Sequence, residues 1–300
     1  MIKFWNRKEA REEVEQVYGD VFIRWIYGTR PGQILANAVL SKPPLSQVYG
    51  AYQSSRLSRH KIEPFIQDFK IPMQEFEEGP FASFNDFFIR KFKHGARPFA
   101  QGAEEMPAFA EARYFAYESV PSSQRVPVKG VSLSVSALLG SSEKAKPFEG
   151  GPVLLARLCP TDYHRFHYPD SGKIRESYCL QGGLHSVNPM ALKYKSDIFL
   201  TNERHVSILS TDHFGLLAYI EVGALCVGKI VQTHPSTGLS GSTSPSFERG
   251  DEKGYFLFGG STVIVLGQPG VWRPDADLLE QTLRGQECLV RLGERVAIRF

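Results

Sequence analysis

The chain has 300 residues, 42% of them hydrophobic and 22% charged, a globular balance that excludes a disordered or low-complexity polymer. Its 35 Lys and Arg against 32 Asp and Glu leave a net charge of +3, too mild to expect nucleic acid as a partner yet no obstacle to contact with an anionic membrane. Cys159, Cys179, Cys226 and Cys288 stand far apart with no Cys-x-x-Cys pair, so neither a disulfide framework nor a metal site is expected.

Residues 1–20 mix Lys3, Arg7, Lys8 and Arg11 with Glu9, Glu12, Glu13 and Glu15, which predicts no secretory signal. No span reaches the ~18–20 apolar residues of a transmembrane helix. Val14, Val17, Tyr18, Val21, Phe22, Trp25 and Ile26 recur at three- and four-residue steps, which predicts an amphipathic helix ending near Gly28. A second short helix is expected over 33–40. Ile62, Phe65, Ile66 and Phe69 repeat the pattern, and Phe84, Phe87 and Phe88 begin another apolar cluster. Phe22, Trp25 and Tyr27 beside Arg24 and Arg30 suit a helix lying at a membrane interface, although an aromatic stripe serves a core as readily. Residues 1–104 are therefore read as a helical region and a candidate for membrane contact.

From residue 105 the period changes. Residues 114–119, 126–135, 153–158, 173–180, 204–209, 216–222 and 262–266 read as strands broken by Gly, Pro, Asp and Ser turns. Residues 210–215 form a hairpin loop between two of them, and 236–254 a long polar connection. The expected fold class is α+β, the helical region 1–104 being followed by a β-rich catalytic domain over 105–300.

Two constellations carry chemistry. Phe258-Gly259-Gly260-Ser261-Thr262 is a corner between strand-forming runs. Two residues without Cβ atoms can take dihedrals closed to others, leaving the Gly260 carbonyl open to attack by the Ser261 hydroxyl. The same letters also suit an ordinary turn or bulge. Gly241-Ser242-Thr243 imitates the corner but lacks flanking strands and is read as loop. The second constellation is Asp162-Tyr163-His164-Arg165-Phe166-His167. Histidine moves protons near neutral pH, and a spacing of three puts both rings on one face of a helix or tight turn but on opposite faces of a strand. Alone, the pair also fits two hydrogen-bonded imidazoles, and a metal would lack a third ligand.

Together with Phe84-Asn85-Asp86-Phe87-Phe88-Ile89-Arg90, Asn202-Glu203-Arg204 and residues 222–228, these motifs resemble the phosphatidylserine decarboxylase family in identity and order. Asp275-Ala276-Asp277-Leu278-Leu279 extends the match toward the C-terminus. The resemblance implies a proenzyme that makes its own cofactor. Ser261 attacks the Gly260 carbonyl, the acyl group shifts from nitrogen to oxygen, and the ester eliminates to a dehydroalanine that hydrolyses to a pyruvoyl group with loss of ammonia. It implies a β chain of 1–260 and an α chain of 261–300 that stay associated. Phosphatidylserine would lose CO₂ through a Schiff base with the pyruvoyl group at 261, whose conjugated carbonyl holds the electron density left on Cα, giving phosphatidylethanolamine.

By the family pattern His167 is the base that activates Ser261, and His164 handles protons during decarboxylation. The register from Arg97-Pro98 puts Glu111 where the family has the aspartate that orients the histidine, its extra methylene changing the reach. Asp86 is a nearby carboxylate read as helix packing. The resemblance further implies phosphatidylserine as substrate and hence a membrane met peripherally; the expected lack of a secretory signal and of a spanning helix puts that contact on the cytoplasmic side, the mild charge argues for no nucleic acid, and a homo-oligomer is left open. Two alternatives stand beside this reading: a cleavage-impaired lipid-binding homologue, and a pyruvoyl decarboxylase for another amino acid or lipid. A serine hydrolase is disfavoured because no Gly-x-Ser-x-Gly elbow surrounds Ser261.

Overall fold

The computed structural model describes residues 2–36, 43–120, 134–224, 229–233, 244–259 and 261–300. Its strands in chain order are β1 (Lys3–Asn6), β2 (Arg11–Val14), β3 (Glu105–Pro107), β4 (Ala112–Tyr117), β5 (Val153–Leu158), β6 (Arg165–His167), β7 (Gly172–Leu180), β8 (Arg204–Thr211), β9 (Leu216–Val222), β10 (Ile230–Gln232), β11 (Ser246–Phe247), β12 (Glu252–Phe256), β13 (Ser261–Gly267), β14 (Trp272–Pro274), β15 (Glu287–Val290) and β16 (Arg295–Arg299). Ten of them form one sheet in the order β11-β7-β8-β9-β13-β5-β4-β15-β1-β2. Its pairings are antiparallel except for β1 on β15, which is parallel. Two three-stranded sheets, β10-β12-β6 and β14-β16-β3, complete the β structure. With the helices below, the fold is α+β.

The centre of the large sheet is β13, whose Ser-Thr-Val-Ile-Val-Leu-Gly run is buried at every position. Branched apolar side chains on both faces suit a strand covered on both sides and paired on both edges, here by β5 and β9. The main core gathers Val263, Ile264 and Val265 with Leu154, Leu155, Tyr219 and Ile220.

Among the described residues, five α-helices, α1 (Asp20–Gly28), α2 (Arg30–Leu35), α3 (Pro43–Gln53), α4 (Ile62–Phe69) and α5 (Phe84–Phe88), lie in the N-terminal third. The periodicity predicts a first helix from Val14, but it begins at Asp20, after Gly19 in a left-handed conformation. Residues 3–14 instead form the β1–β2 hairpin, which joins the sheet through β15. Only Phe4 is buried in β1, and one apolar anchor among charged residues leaves no readable period. The expected helix over 33–40 is observed as far as Leu35, and residues 37–40 lie outside the described residues. Of the expected strand 126–135, residues 126–133 lie outside them, and Val135 opens a short helix, Val135–Leu139.

A second core joins these helices to the chain just before Ser261. Phe65, Phe84, Phe87 and Phe88 pack with Tyr163 and Phe258, and the Phe258 ring lies 5.0–6.0 Å from the rings of Tyr18, Tyr49, Phe84 and Phe88.

Candidate active site

Antiparallel pairing brings the two constellations together. Ser261, the first residue of β13, is paired with Leu158, the last residue of β5. The turn that follows Leu158 therefore lies at the same sheet edge as the corner before Ser261, and that turn carries His164. The small sheet fixes the other side, since β12 runs beside β6 with Tyr255 opposite Arg165 and the Phe256 amide donates to the His164 carbonyl at 2.9 Å. Gly254 permits the close packing on both sides of β12: a Cβ there would stand 2.2 Å from the Val231 carbonyl oxygen on β10 and 2.7 Å from the Phe166 ring on β6. Gly259 adopts φ 143°, a conformation open to glycine and costly for other residues. Gly260 lies outside the described residues, as do Cys226 and Gly241-Ser242-Thr243.

Ser261 is fully buried, and its Oγ lies 3.4 Å from His164 Nδ1. His164 Nε2 lies 2.8 Å from the Cys159 carbonyl oxygen. A carbonyl can only accept, so Nε2 carries the proton and Nδ1 turns a bare lone pair to the serine. The ring stacks on Phe88 at 3.9 Å between centroids. Burial lowers the His164 pKa from 6.5 to about 3, with the Arg90 charge adding to the effect against the Cys159 hydrogen bond. The imidazole is therefore neutral at pH 7 with its Nδ1 lone pair unprotonated, and the burial that keeps it neutral also makes it a weaker base than a free histidine. Asp162 shapes the turn that holds it, accepting the Cys159 amide at 2.7 Å and the Arg113 guanidinium at 2.6 Å.

His167 is placed differently. Its Nδ1 lies 2.8 Å from the Gly250 carbonyl oxygen and its Nε2 3.3 Å from the Tyr163 hydroxyl. The carbonyl fixes the proton on Nδ1, so Nε2 accepts from the tyrosine. Burial lowers the His167 pKa below its ordinary value, opposed by the Gly250 hydrogen bond and the Glu252 charge. Both ring nitrogens are thus engaged away from Ser261, and of the two histidines it is His164 that meets the serine.

Glu111, expected beside a histidine, forks onto Arg97 at 2.5 and 2.9 Å and accepts the Leu292 amide at 3.2 Å. Arg97 also reaches Glu75 at 2.6 Å and lies over the Phe92 ring. No hydrogen bond joins Glu111 to His164 or His167, whose partners are those named above. Asp86, exposed, accepts the Ala82 amide at 2.8 Å in the capping turn of α5. Among the described residues no group of three or more His, Cys, Asp or Glu could hold a metal ion, and no helix is long and apolar enough to cross a membrane.

Behind the corner, on the strand neighbouring β13, Arg157 is buried between Glu15 and Glu287. It contacts Glu287 through two 2.6 Å hydrogen bonds and Glu15 at 2.6 and 3.3 Å. Burial alone would raise the Glu15 pKa, but Arg157 and Arg113 outweigh it and hold it at about 2. Nothing in the local sequence marks this cluster, because its three members come from distant parts of the chain. The Phe88–His164 stack had a weak signal only, the Phe pair in the Phe84–Arg90 motif.

Comparison with known proteins yields a match to the family model described as phosphatidylserine decarboxylase over residues 84–298. Full-length relatives named phosphatidylserine decarboxylase proenzyme include those of Clostridium novyi (strain NT), 40% identical with all of both chains covered, and Desulfitobacterium hafniense (strain DSM 10664 / DCB-2), 39% identical over all of this chain and 99% of the relative. That of Clostridium botulinum (strain Hall / ATCC 3502 / NCTC 13319 / Type A) is 39% identical with both chains fully covered.

Proposed function

This chain belongs to the phosphatidylserine decarboxylase family, and we propose that its uncut form cleaves itself at Gly260–Ser261 and so converts Ser261 into a pyruvoyl group. The reaction of the mature enzyme is decarboxylation of phosphatidylserine to phosphatidylethanolamine and CO₂. The observation that carries the self-cleavage reading is the buried Ser261 Oγ 3.4 Å from the bare Nδ1 of His164, on the residue that follows two glycines. That arrangement fits the group to be made, since a serine that must open the preceding peptide bond needs a base in contact and a preceding residue without a Cβ to obstruct the attack.

His164 takes the Ser261 proton while Oγ attacks the Gly260 carbonyl, and the Cys159 carbonyl stabilises the imidazolium that results through its Nε2–H bond. This assignment moves to His164 the base role that the resemblance gives His167, while His164 keeps its part in decarboxylation. His167 braces the loop through Gly250 and Tyr163, and Glu111 anchors Arg97. Once formed, the pyruvoyl group supplies a carbonyl conjugated to its amide that can hold the electron pair released with CO₂. His164, neutral at working pH, remains in reach of position 261 to move the protons of that reaction.

The substrate calls for a lipid surface, and α1 offers one. Its inner side buries Ile26 and Tyr27, while Val21, Phe22 and Trp25 are 84%, 51% and 45% exposed beside Arg24. Exposed apolar and aromatic side chains on one helix suit a bilayer interface; Arg24 among them is paired with Asp20 at 2.8 Å. We place the 20–35 helices against the membrane, on the cytoplasmic side, with the β-rich region 105–300 carrying the chemistry.

Intact-mass measurement tests cleavage. The 33.6 kDa chain is expected to give two fragments, the smaller carrying a hydrazine-reactive carbonyl, and Ser261→Ala to remain whole. A wild-type chain that stays uncut sinks the proposal. His164→Ala is expected to block cleavage, whereas cleavage by His164→Ala together with its loss in His167→Ala would return the base role to His167.

A further inference from the structure

We propose that Asn85 is a positioning residue for self-cleavage, holding the chain before the scissile bond against the same helix that holds His164; the inference rests on the self-cleavage reading above. The Phe258 amide donates to Asn85 Oδ1 at 2.7 Å in a buried setting. Asn85 Nδ2 in turn donates to the Ser54 hydroxyl at 2.8 Å and lies 3.4 Å from the Gly50 carbonyl. The orientation of the side-chain amide follows from chemistry: a backbone N–H must meet its oxygen, and a carbonyl must meet its nitrogen. Asn85 is 3% exposed, so neither bond is readily exchanged for water.

The location gives the bond its consequence. Phe258 is followed by Gly259 at φ 143°, then Gly260 and Ser261. Two consecutive glycines leave the corner with little conformational preference of its own, so the direction in which it presents the Gly260 carbonyl depends on how its ends are tied. One end is β13, fixed by β5 and β9. The other is Phe258, fixed by Asn85 through its amide and by Phe84 and Phe88 through its ring. Three residues further along α5, Phe88 stacks on His164, and residues three apart lie on one helix face. A single short helix therefore sets the position of the corner and that of the base.

Helix α5 is itself well anchored. The Ser83 hydroxyl accepts the Asp86 amide at 3.1 Å, and the Phe84 amide donates to the buried Ser58 hydroxyl at 2.9 Å. After cleavage the geometry no longer matters in the same way. Phe258 then belongs to the end of the 1–260 chain, while residue 261 stays in β13. Asn85 thus acts on maturation and not on the later decarboxylation.

The test separates those two stages. Wild type, Asn85→Ala and Asn85→Asp are made by cell-free synthesis, conversion of the full-length chain is followed by intact mass, and decarboxylation of phosphatidylserine in mixed micelles is normalised to the pyruvoyl content. Misplacing reacting groups by on the order of 1 Å can cost ~100-fold in rate, so Asn85→Ala is expected to slow maturation at least ~10-fold while activity per pyruvoyl group stays within ~2-fold. Asn85→Asp keeps an oxygen facing Phe258 and accepts from Ser54, and is expected to recover most of the maturation rate. Maturation of Asn85→Ala at the wild-type rate overturns the proposal. So does an equal fall in maturation and activity per pyruvoyl group in both variants, accompanied by a lower melting temperature, since that pattern marks a structural role. Failure of the wild-type chain to cleave refutes the self-cleavage reading instead.

Discussion

Arg157 and Glu287 form a buried ion pair, two 2.6 Å hydrogen bonds in fork geometry, that joins residues on opposite sides of the Gly260–Ser261 bond. Each is about 3% exposed at the side chain. Both are desolvated, and Arg157 is held from its other side by Glu15 at 2.6 Å, so removing Glu287 strips one of two partners from a buried charge.

Glu287→Gln, which leaves Arg157 only the Glu15 carboxylate, is therefore expected to destabilise the uncut chain by about 1–3 kcal/mol. Guanidinium unfolding of the Ser261→Ala protein with and without the change measures this without mixing cut and uncut species. In cleaved enzyme the same change is expected to release the 261–300 fragment at lower denaturant, read by native mass spectrometry. An unchanged midpoint would mean that Glu15 alone satisfies Arg157.

The environment of His164 predicts the pH dependence of maturation. Burial lowers its pKa to about 3, so the folded chain keeps it neutral where an unfolded chain would protonate it, between about 3 and 6.5. In that window the unfolded state binds the extra proton, and stability contributed by this group rises with pH. The cleavage rate is expected to stay flat from pH 5.5 to 8, because the accepting form is fully populated throughout. Timed cleavage over that range checks it; an inflection near 6.5, with a drop approaching tenfold by pH 5.5, would point to an exposed histidine as base.

Glu111 grips Arg97 with both oxygens, and the longer side chain suits that reach. Glu111→Asp shortens the arm and is expected to lower the melting temperature by several degrees, the equivalent of about 1–2 kcal/mol in a chain of this size, without hastening cleavage. Faster cleavage in Glu111→Asp would mean that the carboxylate serves a histidine after all.

Phe22 and Trp25 are the apolar side chains of α1 proposed to enter the membrane. The double change Phe22→Ser with Trp25→Ser removes up to about 3–5 kcal/mol of potential apolar burial, and is expected to weaken sedimentation with phosphatidylserine vesicles at least tenfold. Activity on short-chain, micellar phosphatidylserine is expected to persist. Equal loss on both substrates would place the effect in folding and not at the bilayer.

The strands 153–158, 204–209, 216–222 and 262–266 were legible because branched apolar residues between Gly, Pro and Asp breaks are a local signal. The β1–β2 hairpin was not, since Phe4 is its lone buried residue and its pairing with β15 spans nearly the whole chain. The same division runs through the site. The Gly-Gly-Ser-Thr corner and the His-x-x-His pair marked Ser261, His164 and His167, the family resemblance that their order carries added Glu111, and the change of period near residue 105 gave the α+β class.

What each of those side chains touches was decided by tertiary structure. Antiparallel pairing of β5 with β13 puts His164 against Ser261, the approach of residues 248–251 takes up His167 through Gly250, and Arg97 claims Glu111. Sequence determines which chemistry a residue can perform and whether its neighbours form a helix or a strand. Which donor meets which acceptor depends on contacts across 97 positions, the separation between His164 and Ser261, and a hydrogen bond a few tenths of an ångström wide in tolerance is set by packing that no local pattern encodes.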